Sequence, residues 1–582
     1  MKKITTLFLV ASAVLSSTTI LSQASLQWAK GWGASFEDAV VSVATDPTGN
    51  VYTLSVFSQT VDADPGIGTF TVATKGANDM LITKLDPSGN LIWAKRLGGT
   101  GNDDPSALAV DASGNVYSTG YFIGTADFDP GSGTSNLSST GSSNEIFVSK
   151  LDANGNFVWA KSMGGNGTDA GQAIHVDNSG NVYTTGSYNL TADFDPSPTS
   201  TFTITSAGGA NIFVSKLDMN GNFVWAKSIG GAGGSFSNNG TGITTNAAGD
   251  VYTTGNFIKT VDFDPGVGTY TVTCVGGFNN DVFLSKLDMN GNFAWAITIG
   301  NSDYDDSFDV KCDGAGDVYI TGKFYETVDF DPSSTTTYTL DGASSGNVFV
   351  AKYNTTGNLV WAKTMGGTDA DAGNNIFIDG NNNILTSGYF QGTADFNPGA
   401  GVANLTAGGG SYASVFVSVL DVSGNYVNAF SLASQYSYDR PPSVAVDPMG
   451  NIIVGGAFEA TSDFDPGAGT FTMTATAASY SDAFVTKIGN VATGINNFNT
   501  SSNAVRLFPN PAAGILNVQL TGIDVSKNTS MSLFNSMGQE VRNSVISNEQ
   551  NTISLEGLSA GIYFYKVKNS NSTIQSGKLI IE

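Results

Sequence analysis

Pairs of acids separated by one residue recur along this chain, and they are the first residues whose type and spacing could do chemistry. Two carboxylates at that spacing lie on one face of a strand, because strand side chains alternate. A hard cation such as Ca²⁺ binds several oxygens, so a pair beside turn carbonyls could begin a calcium site. The pairs are Asp62/Asp64, Asp127/Asp129, Asp193/Asp195, Asp262/Asp264, Asp329/Asp331 and Asp463/Asp465, with Asp395/Asn397 in the remaining place.

The same pairs have a structural alternative, because proline follows most of them and glycine or serine comes next. Aspartate in such a turn accepts a hydrogen bond from its own backbone two residues on. The pattern also lacks the ligand run and the distal glutamate of a calcium loop. We expect a turn with Phe128 or its equivalent buried between the two acids. Ca²⁺ remains the one candidate cofactor, with Asp127, Asp129, Asp193, Asp195, Asp262, Asp264, Asp329 and Asp331 as its ligands.

Little else in the sequence could support catalysis. His175 is the only histidine, and it occupies a strand position where other repeats carry Ala109 and Lys311, so we interpret it as a tolerated substitution. No nucleophile elbow, metal-ligand cluster or phosphate loop is found. An aspartate pair could serve a glycosidase, but an active site should break the sevenfold pattern. The sequence therefore predicts no catalytic residue.

These residues belong to a repeat. The segment KLDANGNFVWAKSMGG, residues 150–165, returns in near copies about every 65 to 70 residues, which is typical of a repeat architecture. Each unit contains four short strands, and both of its hairpins turn at Asp-x-x-Gly-Asn, where glycine takes the positive φ. The tryptophans should pack where neighbouring units meet. They are Trp28, Trp93, Trp159, Trp225, Trp295 and Trp361, with Asn428 in the seventh place.

The two ends of the repeat array match each other. The chain begins with a copy of the fourth strand at residues 25–33, and the seventh unit stops after its third strand at residues 483–489. If the N-terminal strand completes the last unit, the ring closes and few strand edges stay exposed. We therefore predict an all-β fold, with a seven-bladed β-propeller over residues 25–490 whose last blade is closed by the N-terminal strand.

The pattern GG…D…VD.SGNVY.TG….DFDP at residues 164–196 resembles the bacterial SBBP β-propeller repeat, and the resemblance extends over residues 25–490. The LDxxGNxxW hairpin also resembles the tryptophan-docking motif of quinoprotein dehydrogenase propellers. Those enzymes usually have eight blades and a cofactor site made of non-repeating residues. Neither feature is visible in this sequence.

After residue 490 the repeats stop. Residues 491–503 are polar and unpatterned, as in a linker, and residues 504–582 alternate strands with glycine turns, which predicts a small β-sandwich. Its motif residues are Pro509, Asn510, Pro511, Gly538, Gly561, Tyr563 and Lys578. In that order they resemble the type A C-terminal sorting domain of the type IX secretion system. The resemblance implies that the type IX machinery carries the protein across the outer membrane and that the domain is usually removed.

The N-terminus also predicts export. Residues 1–24 combine two lysines, an apolar run and a small-x-small end at Ala24, as in a secretory signal peptide. No later stretch reaches the ~20 apolar residues of a spanning helix, so we expect no transmembrane segment in the mature chain. A net charge of -25 makes nucleic acid a poor partner. Cys274 and Cys312 could form one bond after export, or remain small buried side chains.

Two further sets of residues are candidates for binding. One acid lies eight residues ahead of the aspartate that ends each inner strand, at one mouth of the predicted channel. It could accept backbone N–H groups or attract cations. The loop at residues 434–442 contains Tyr436, Tyr438 and Arg440, a composition favoured at binding hot spots. The acids are Asp38, Asp103, Asp169, Asp305, Asp371 and Asp439, with Asn238 in the fourth place.

The sequence as a whole favours a non-catalytic scaffold that binds a surface protein or a glycan. We expect it to be secreted, or attached to the outer cell surface of a Gram-negative bacterium. The alternative is a secreted hydrolase or lyase that uses Asp or Glu in a propeller cleft, since fold does not decide function. Unit-specific acids such as Glu326 or Asp369 would then carry the reaction.

Overall fold

The computed structural model describes residues 24–66, 68–231, 238–408, 413–436, 440–477, 480–489, 505–508, 512, 514–520, 529–535, 539–569 and 572–581. Regular structure in these ranges is entirely β-strand, and no helix there could span a bilayer. The predicted signal peptide, apart from Ala24, and the predicted linker lie outside the described residues. The described chain divides into two compact units, at residues 24–489 and 505–581.

The first unit begins with β1 (Ser25–Trp32) and continues through seven repeats. Repeat 1 contains β2 (Ala39–Thr45), β3 (Val51–Asp62), β4 (Thr71–Leu85) and β5 (Leu91–Gly99). Repeat 2 contains β6 (Asp104–Val110), β7 (Val116–Phe122), β8 (Thr125–Asp127), β9 (Asn136–Ser138), β10 (Glu145–Leu151) and β11 (Phe157–Gly165). Repeat 3 contains β12 (Ala170–Val176), β13 (Val182–Tyr188), β14 (Thr191–Asp193), β15 (Thr203–Thr205), β16 (Asn211–Leu217) and β17 (Phe223–Ile229).

The later repeats keep the order of repeat 2. Repeat 4 contains β18 (Asn239–Thr245), β19 (Val251–Phe257), β20 (Thr260–Asp262), β21 (Thr271–Thr273), β22 (Asp281–Leu287) and β23 (Phe293–Ile299). Repeat 5 contains β24 (Asp306–Cys312), β25 (Val318–Phe324), β26 (Thr327–Asp329), β27 (Thr339–Asp341), β28 (Asn347–Tyr353) and β29 (Leu359–Met365). Repeat 6 contains β30 (Ala372–Ile378), β31 (Ile384–Phe390), β32 (Thr393–Asp395), β33 (Asn404–Thr406), β34 (Ala413–Leu420) and β35 (Tyr426–Tyr436). Repeat 7 contains β36 (Ser443–Val446), β37 (Ile452–Phe458), β38 (Thr461–Asp463), β39 (Thr472–Thr474) and β40 (Asp482–Gly489).

The four long strands of each repeat form an antiparallel meander, called here sheets 1 to 7 after their repeats. Sheet 7 is built differently, because its fourth strand is β1, in the order β36-β37-β40-β1. The pairing runs from Ser25 opposite Gly489 to Trp32 opposite Ala483. The predicted pairing of the N-terminal strand with residues 483–488 is therefore confirmed.

The first strands of successive sheets contact one another in chain order, β2 with β6, β6 with β12, and so on to β36, which contacts β2 again. The hydrophobic core lies between the sheets. One buried cluster, for example, joins Tyr52 and Leu54 of sheet 1 to Val116 and Phe147 of sheet 2. Burying each such side chain contributes about 1.5–3 kcal/mol relative to exposure, so successive sheets stabilise each other.

A tryptophan clamp links six of the seven sheets to the next one, as predicted from the repeat. Trp93 Nε1 in sheet 1 donates to the carbonyl of Ala153, 3.2 Å away, in the last hairpin turn of sheet 2. The ring packs against that turn at Gly155, where an added Cβ would lie 3.1 Å from the indole. Gly155 has φ of 75°, so the turn needs glycine both for its backbone and for the ring. Trp28 makes the same contact with Pro87 and joins sheet 7 to sheet 1.

The exception at Asn428 has a topological reason. A tryptophan in β35 of sheet 6 would need the last hairpin turn of sheet 7. Sheet 7 has no such turn, because β40 and β1 come from opposite ends of the array. Ala24 and Leu26 instead pack there in one cluster with Val427 and Phe430. The seventh tryptophan is thus absent where its docking turn is absent.

The second unit contains β41 (Val505–Phe508), β42 (Ile515–Leu520), β43 (Thr529–Phe534), β44 (Glu540–Val545), β45 (Gln550–Ser554), β46 (Gly561–Asn569) and β47 (Ser572–Ile581). They form two antiparallel sheets, β41-β42-β45 and β44-β43-β46-β47. Both sheets contribute to one buried cluster, with Val518 from the first and Leu533 and Val567 from the second.

Candidate functional site

The aspartate pairs lie on the short hairpin between the second and third long strands of each repeat. In repeat 2, Asp127 Oδ1 accepts the backbone N–H groups of Asp129 at 3.1 Å and Ser135 at 2.9 Å. Asp129 Oδ1 accepts the N–H of Gly131 at 2.8 Å. Phe128 between them is fully buried, as the strand alternation predicted. The pair thus shapes the turn and directs a phenyl ring into the core.

The other pairs repeat this arrangement. Asp193, Asp262 and Asp329 each accept the N–H two residues on and a second N–H across the hairpin. The second acids, Asp195, Asp264 and Asp331, also accept the N–H two residues on. Within the described ranges, no group of three or more His, Cys, Asp or Glu could hold a metal ion. Calcium binding by these pairs stays a prediction.

These hairpins also link neighbouring sheets. β8 pairs with β5 of the preceding sheet, with Asp127 opposite Gly98 and Ala126 opposite Gly99. β14 pairs with β11 in the same way, and a single bridge connects Gly230 with Asp262. The acid pairs therefore have a structural role at the sheet junctions.

The acids that were candidates for a channel mouth are buried instead. Asp103 and Asp169 are 0% exposed, and Oδ2 of each accepts the N–H of the residue four positions earlier. The hypothesis of a cation-attracting mouth is wrong for Asp38, Asp103, Asp169, Asp305 and Asp371, because none is open to solvent. The alternative, an acceptor for backbone N–H groups, is confirmed for these five. Asp439 lies outside the described residues.

A second acid from the third strand faces four of these aspartates. Asp79 faces Asp103: an added Cβ on Gly98 would lie 2.7 Å from Asp79 Oδ1 and 2.8 Å from Asp103 Oδ2. The other pairs are Glu145 with Asp169, Asp281 with Asp305, and Asp482 with Asp38. Asn211 and Asn238 occupy both equivalent positions in the junction of sheets 3 and 4. An amide pair therefore replaces a carboxyl pair within the same chain.

Burial controls the charge of these pairs. It raises the pKa of Asp281 and Asp38 to about 7, and in each case the facing acid raises it further. Burial likewise raises the pKa of Asp103 to about 6. Asp281 Oδ1 and Asp482 Oδ1 are buried, and neither has a hydrogen-bond partner in the part of the chain that the structure describes. A buried oxygen without a donor disfavours the charged form, so the pairs hold protons at higher pH than free carboxyls do.

The predicted binding loop is only partly described. Tyr438 lies outside the described residues, and for Tyr436 only the backbone, at the end of β35, is described. Arg440 forms a bidentate ion pair with Asp104 of repeat 2, with Nη1 to Oδ1 at 2.8 Å and Nη2 to Oδ2 at 3.1 Å. Its guanidinium therefore ties repeat 7 to repeat 2, a role that the loop composition did not predict.

The predicted sorting motif lies in the second unit. Pro509, Asn510, Pro511 and Gly538 are outside the described residues. Gly561 begins β46, and Tyr563, 8% exposed, donates from its hydroxyl to the carbonyl of Ser559 at 2.9 Å. Lys578 lies in β47 opposite Phe564. Both cysteines are free thiols, so the possible disulfide is not formed.

A central cavity of about 450 Å³ lies between the first strands of the seven sheets of the first unit. Asp309 in β24 accepts Lys311 Nζ at 2.8 Å on both oxygens, and Asn375 Nδ2 donates to Oδ2 at 2.7 Å. His175 also lines it, and its Nε2 lies 3.0 Å from Thr245 Oγ1. Burial, aided by Lys311, lowers the pKa of His175 to about 4, so this imidazole is neutral at pH 7.

Sequence reasoning missed this cavity. It treated His175 as a tolerated substitution and did not consider Asp309 or Asn375. The available signal was that polar residues replace Ala107 and Ala173, the residues of repeats 2 and 3 at the position of Asp309. The binding loop predicted from the sequence lies at residues 434–442, whereas the residues that break the repeat symmetry around the cavity lie inside the inner strands.

Comparison with known proteins matches a short part of the repeat array and the second unit to known families. Residues 92–124 match the family described as beta-propeller repeat, SBBP. Residues 506–582 match the family described as secretion system C-terminal sorting domain. The first match runs from β5 of repeat 1 through β7 of repeat 2, and the second covers the second unit.

Individual relatives are more distant. The chain is 23% identical over 507 residues to the uncharacterized WD repeat-containing protein L264 of Acanthamoeba polyphaga mimivirus, covering 75% of this chain and 36% of the relative. It is 34% identical over 142 residues to the regulatory protein FlaEY of Caulobacter vibrioides, covering 24% of this chain and 15% of that protein. The chain therefore spans about a third or less of the length of either relative.

Among solved structures, a protein of unknown function from Bacteroides caccae is 9% identical, with a TM-score of 0.31, over 64% of this chain and 96% of that one. The type IX sorting domain indicates export, with attachment to or release from the cell surface. The chain is thus identified as an all-β protein that carries a SBBP β-propeller repeat and a type IX secretion system C-terminal sorting domain.

Proposed function

We propose that this protein is a non-catalytic scaffold at the outer surface of a Gram-negative bacterium, built as a closed seven-bladed propeller that binds a surface protein or a glycan. Seven four-stranded sheets, their cyclic first-strand contacts and the β1–β40 pairing support the closed ring. The two sheets of the second unit, with their shared core, support a β-sandwich that serves as the export signal.

One observation carries binding over catalysis. The acids that recur in the repeats are engaged in turns and sheet junctions. Polar residues that differ between repeats, such as Asp309 and Asn375, line the central cavity. There, Asp309 is held by Lys311 and Asn375. Both carboxylate oxygens of Asp309 are engaged in charge-assisted or amide hydrogen bonds, so neither is directed at a substrate as a general base must be. A carboxylate held in this way is better suited to binding a ligand than to acid–base catalysis.

The alternative is a secreted hydrolase or lyase. It is favoured by one observation, that Asp309 and His175 line the same cavity. In the general case, a carboxylate and an imidazole in one pocket could share acid and base roles.

The test is an array of glycans and surface proteins probed with the purified full chain, beside a broad panel of hydrolase and lyase substrates. Specific binding without turnover is the expected result. Turnover that is abolished by Asp309→Asn, Glu326→Gln or Asp369→Asn would overturn the proposal and establish the enzyme.

A further inference from the structure

The strands around the central cavity share a backbone irregularity at the same position, but the side chain at that position differs from repeat to repeat. The inner strands β2, β6, β12, β18, β24 and β30 each contain an irregularity in the register at the third residue. A bulge of this kind leaves one residue unpaired and re-aims its side chain. The residues at the irregularities are Val41, Ser106, Gln172, Thr241, Phe308 and Asn374, and all line the cavity.

Six different residue types at one repeated position are not what sheet packing alone requires. Positions that pack between sheets keep similar residues, such as Phe128, Phe194, Phe263 and Phe330, each 0% exposed. The bulged positions instead supply two amides, two hydroxyls and one aromatic ring. Amides and hydroxyls provide both donors and acceptors, and a ring provides a flat apolar face.

One of these amides has an oxygen without a hydrogen bond. Asn374 Oδ1 is buried and has no hydrogen-bond partner among the described residues. A buried polar atom left unpaired costs about 1–3 kcal/mol. Rotation of the Asn374 amide would bring this oxygen to the cavity that the residue lines, where a donor on a ligand would offset that cost. A ligand with hydroxyl or N–H donors therefore suits this amide.

The charges in the lining cancel. Asp309 and Lys311 form an ion pair, with 2.8 Å from Nζ to each carboxylate oxygen. His175 is neutral near pH 7, because burial lowers its pKa to about 4. A second cavity adjoins the first, shares Thr45, Val110 and Phe377 with it, and is also lined by Asp46, Asp111 and Asp447. Asp46 and Asp447 are themselves buried, and the lysines Lys84 and Lys487 lie 3.6 Å and 2.8 Å from them. The charge balance of the first cavity's own lining is therefore what favours a neutral ligand.

We infer that the central cavity binds a neutral, polyhydroxylated ligand of the size of one or two sugar units, such as the end of a glycan. Its volume of about 450 Å³ lies within the ~300–1,000 Å³ typical of small-ligand sites. The hydroxyls would pair with Asn374 and Gln172, and the ring of Phe308 would cover an apolar face. This inference rests on the proposed glycan-binding function and assigns that function to the central cavity.

The probes are glucose, galactose, mannose, N-acetylglucosamine and the disaccharides maltose and lactose, with glucuronate as the charged comparison. Binding to the purified full chain is measured by saturation-transfer NMR and calorimetry. We expect saturable binding of at least one neutral sugar and weaker binding of glucuronate. Asn374→Leu, which replaces the amide by a branched alkyl group with the same number of heavy atoms, should raise the dissociation constant at least ~10-fold.

The matched control is Asn290→Leu, in an exposed hairpin turn outside the cavity, which should leave binding unchanged. If Asn374→Leu does not fold, as judged by its melting curve, Gln172→Leu tests the same lining. Absence of saturable binding, equal binding by the cavity and control variants, or a preference for glucuronate would overturn the inference. Array hits that survive the cavity variants would refute only this site, and leave the proposed surface binding in place.

Discussion

Replacing Asp281 by asparagine should stabilise the protein at neutral pH. Asp281 is 2% exposed, and its Oδ2 accepts the N–H of Val275 at 2.8 Å. Its Oδ1 has no hydrogen-bond partner among the residues that the structure describes. An amide can keep the bond to Val275 and place an N–H₂ donor where the unpartnered oxygen lies, beside Asp305. Asn211 already occupies the equivalent position in sheet 3.

The magnitude follows from linkage between protonation and folding. The pKa of Asp281 rises from 3.8 to about 7 on folding, because burial and then Asp305 disfavour its charge. Its stabilising contribution is therefore complete below pH 3.8 and is lost as pH rises through about 7. A shift of this size corresponds to at most about 4 kcal/mol, and relaxation around the site reduces it, so we expect Asp281→Asn to gain about 1–3 kcal/mol at pH 7.5.

The assay is calorimetric unfolding of the parent and the variant at pH 4.5, 5.5, 6.5 and 7.5. The difference in melting temperature should be smallest at pH 4.5 and should grow in favour of the variant as pH rises. Asp288→Asn is the control in the same repeat. The turn N–H groups of Asn290 and Asn292 lower the pKa of Asp288, so this substitution should destabilise at pH 7.5 and have less effect at low pH. Destabilisation by Asp281→Asn at every pH would refute the reasoning.

Three other predictions follow from the sheet junctions and the domain organisation. Adding a chelator should leave the melting temperature unchanged, because the paired aspartates already accept backbone N–H groups; a fall that Ca²⁺ reverses would instead establish calcium binding. Trp225→Ala should lower the free energy of unfolding by about 2–4 kcal/mol, because it removes the clamp onto Met289. Val224→Ala, at an exposed neighbouring position, should change it by less than ~0.5 kcal/mol. Equal effects of the two substitutions would contradict the clamp. Intact mass of protein recovered from the cell surface or medium should show that residues from about 504 have been removed, and a mass that still includes Glu582 would count against an export role.

Sequence reasoning succeeded where the physical cause is local. The turn at Asp152 depends on residues within four positions of one another, since Asp152 Oδ1 accepts the N–H groups of Asn154 and Asn156. The period of such turns, the alternation around Phe128 and the spare strand at Trp28 are visible in a single chain. They were sufficient to predict the strands, the tryptophan contacts and the pairing of β1 with β40.

The sequence did not predict which polar residues are buried, because burial depends on neighbours far away in the chain. Asp103 looks like any exposed turn aspartate until Asp79 and the chain around Gly98 enclose it. Arg440 looks like a free binding residue until its partner Asp104, 336 positions away, is brought beside it.

The same reason explains the cavity and the missing tryptophan. Bulges in the inner strands exist only once each strand has a partner and a register, so the sequence alone does not show that Gln172 and Asn374 line one space. Asn428 looked like a degenerate copy. The reason for the missing tryptophan is seen only in the structure, where β1 and β40, from opposite ends of the repeat array, pair without a turn between them. The sequence by itself determined the repeat, its strands and its turns, because these depend on contacts within a few residues. Tertiary structure alone decided burial, charge and the candidate site, because these depend on which distant strands become neighbours.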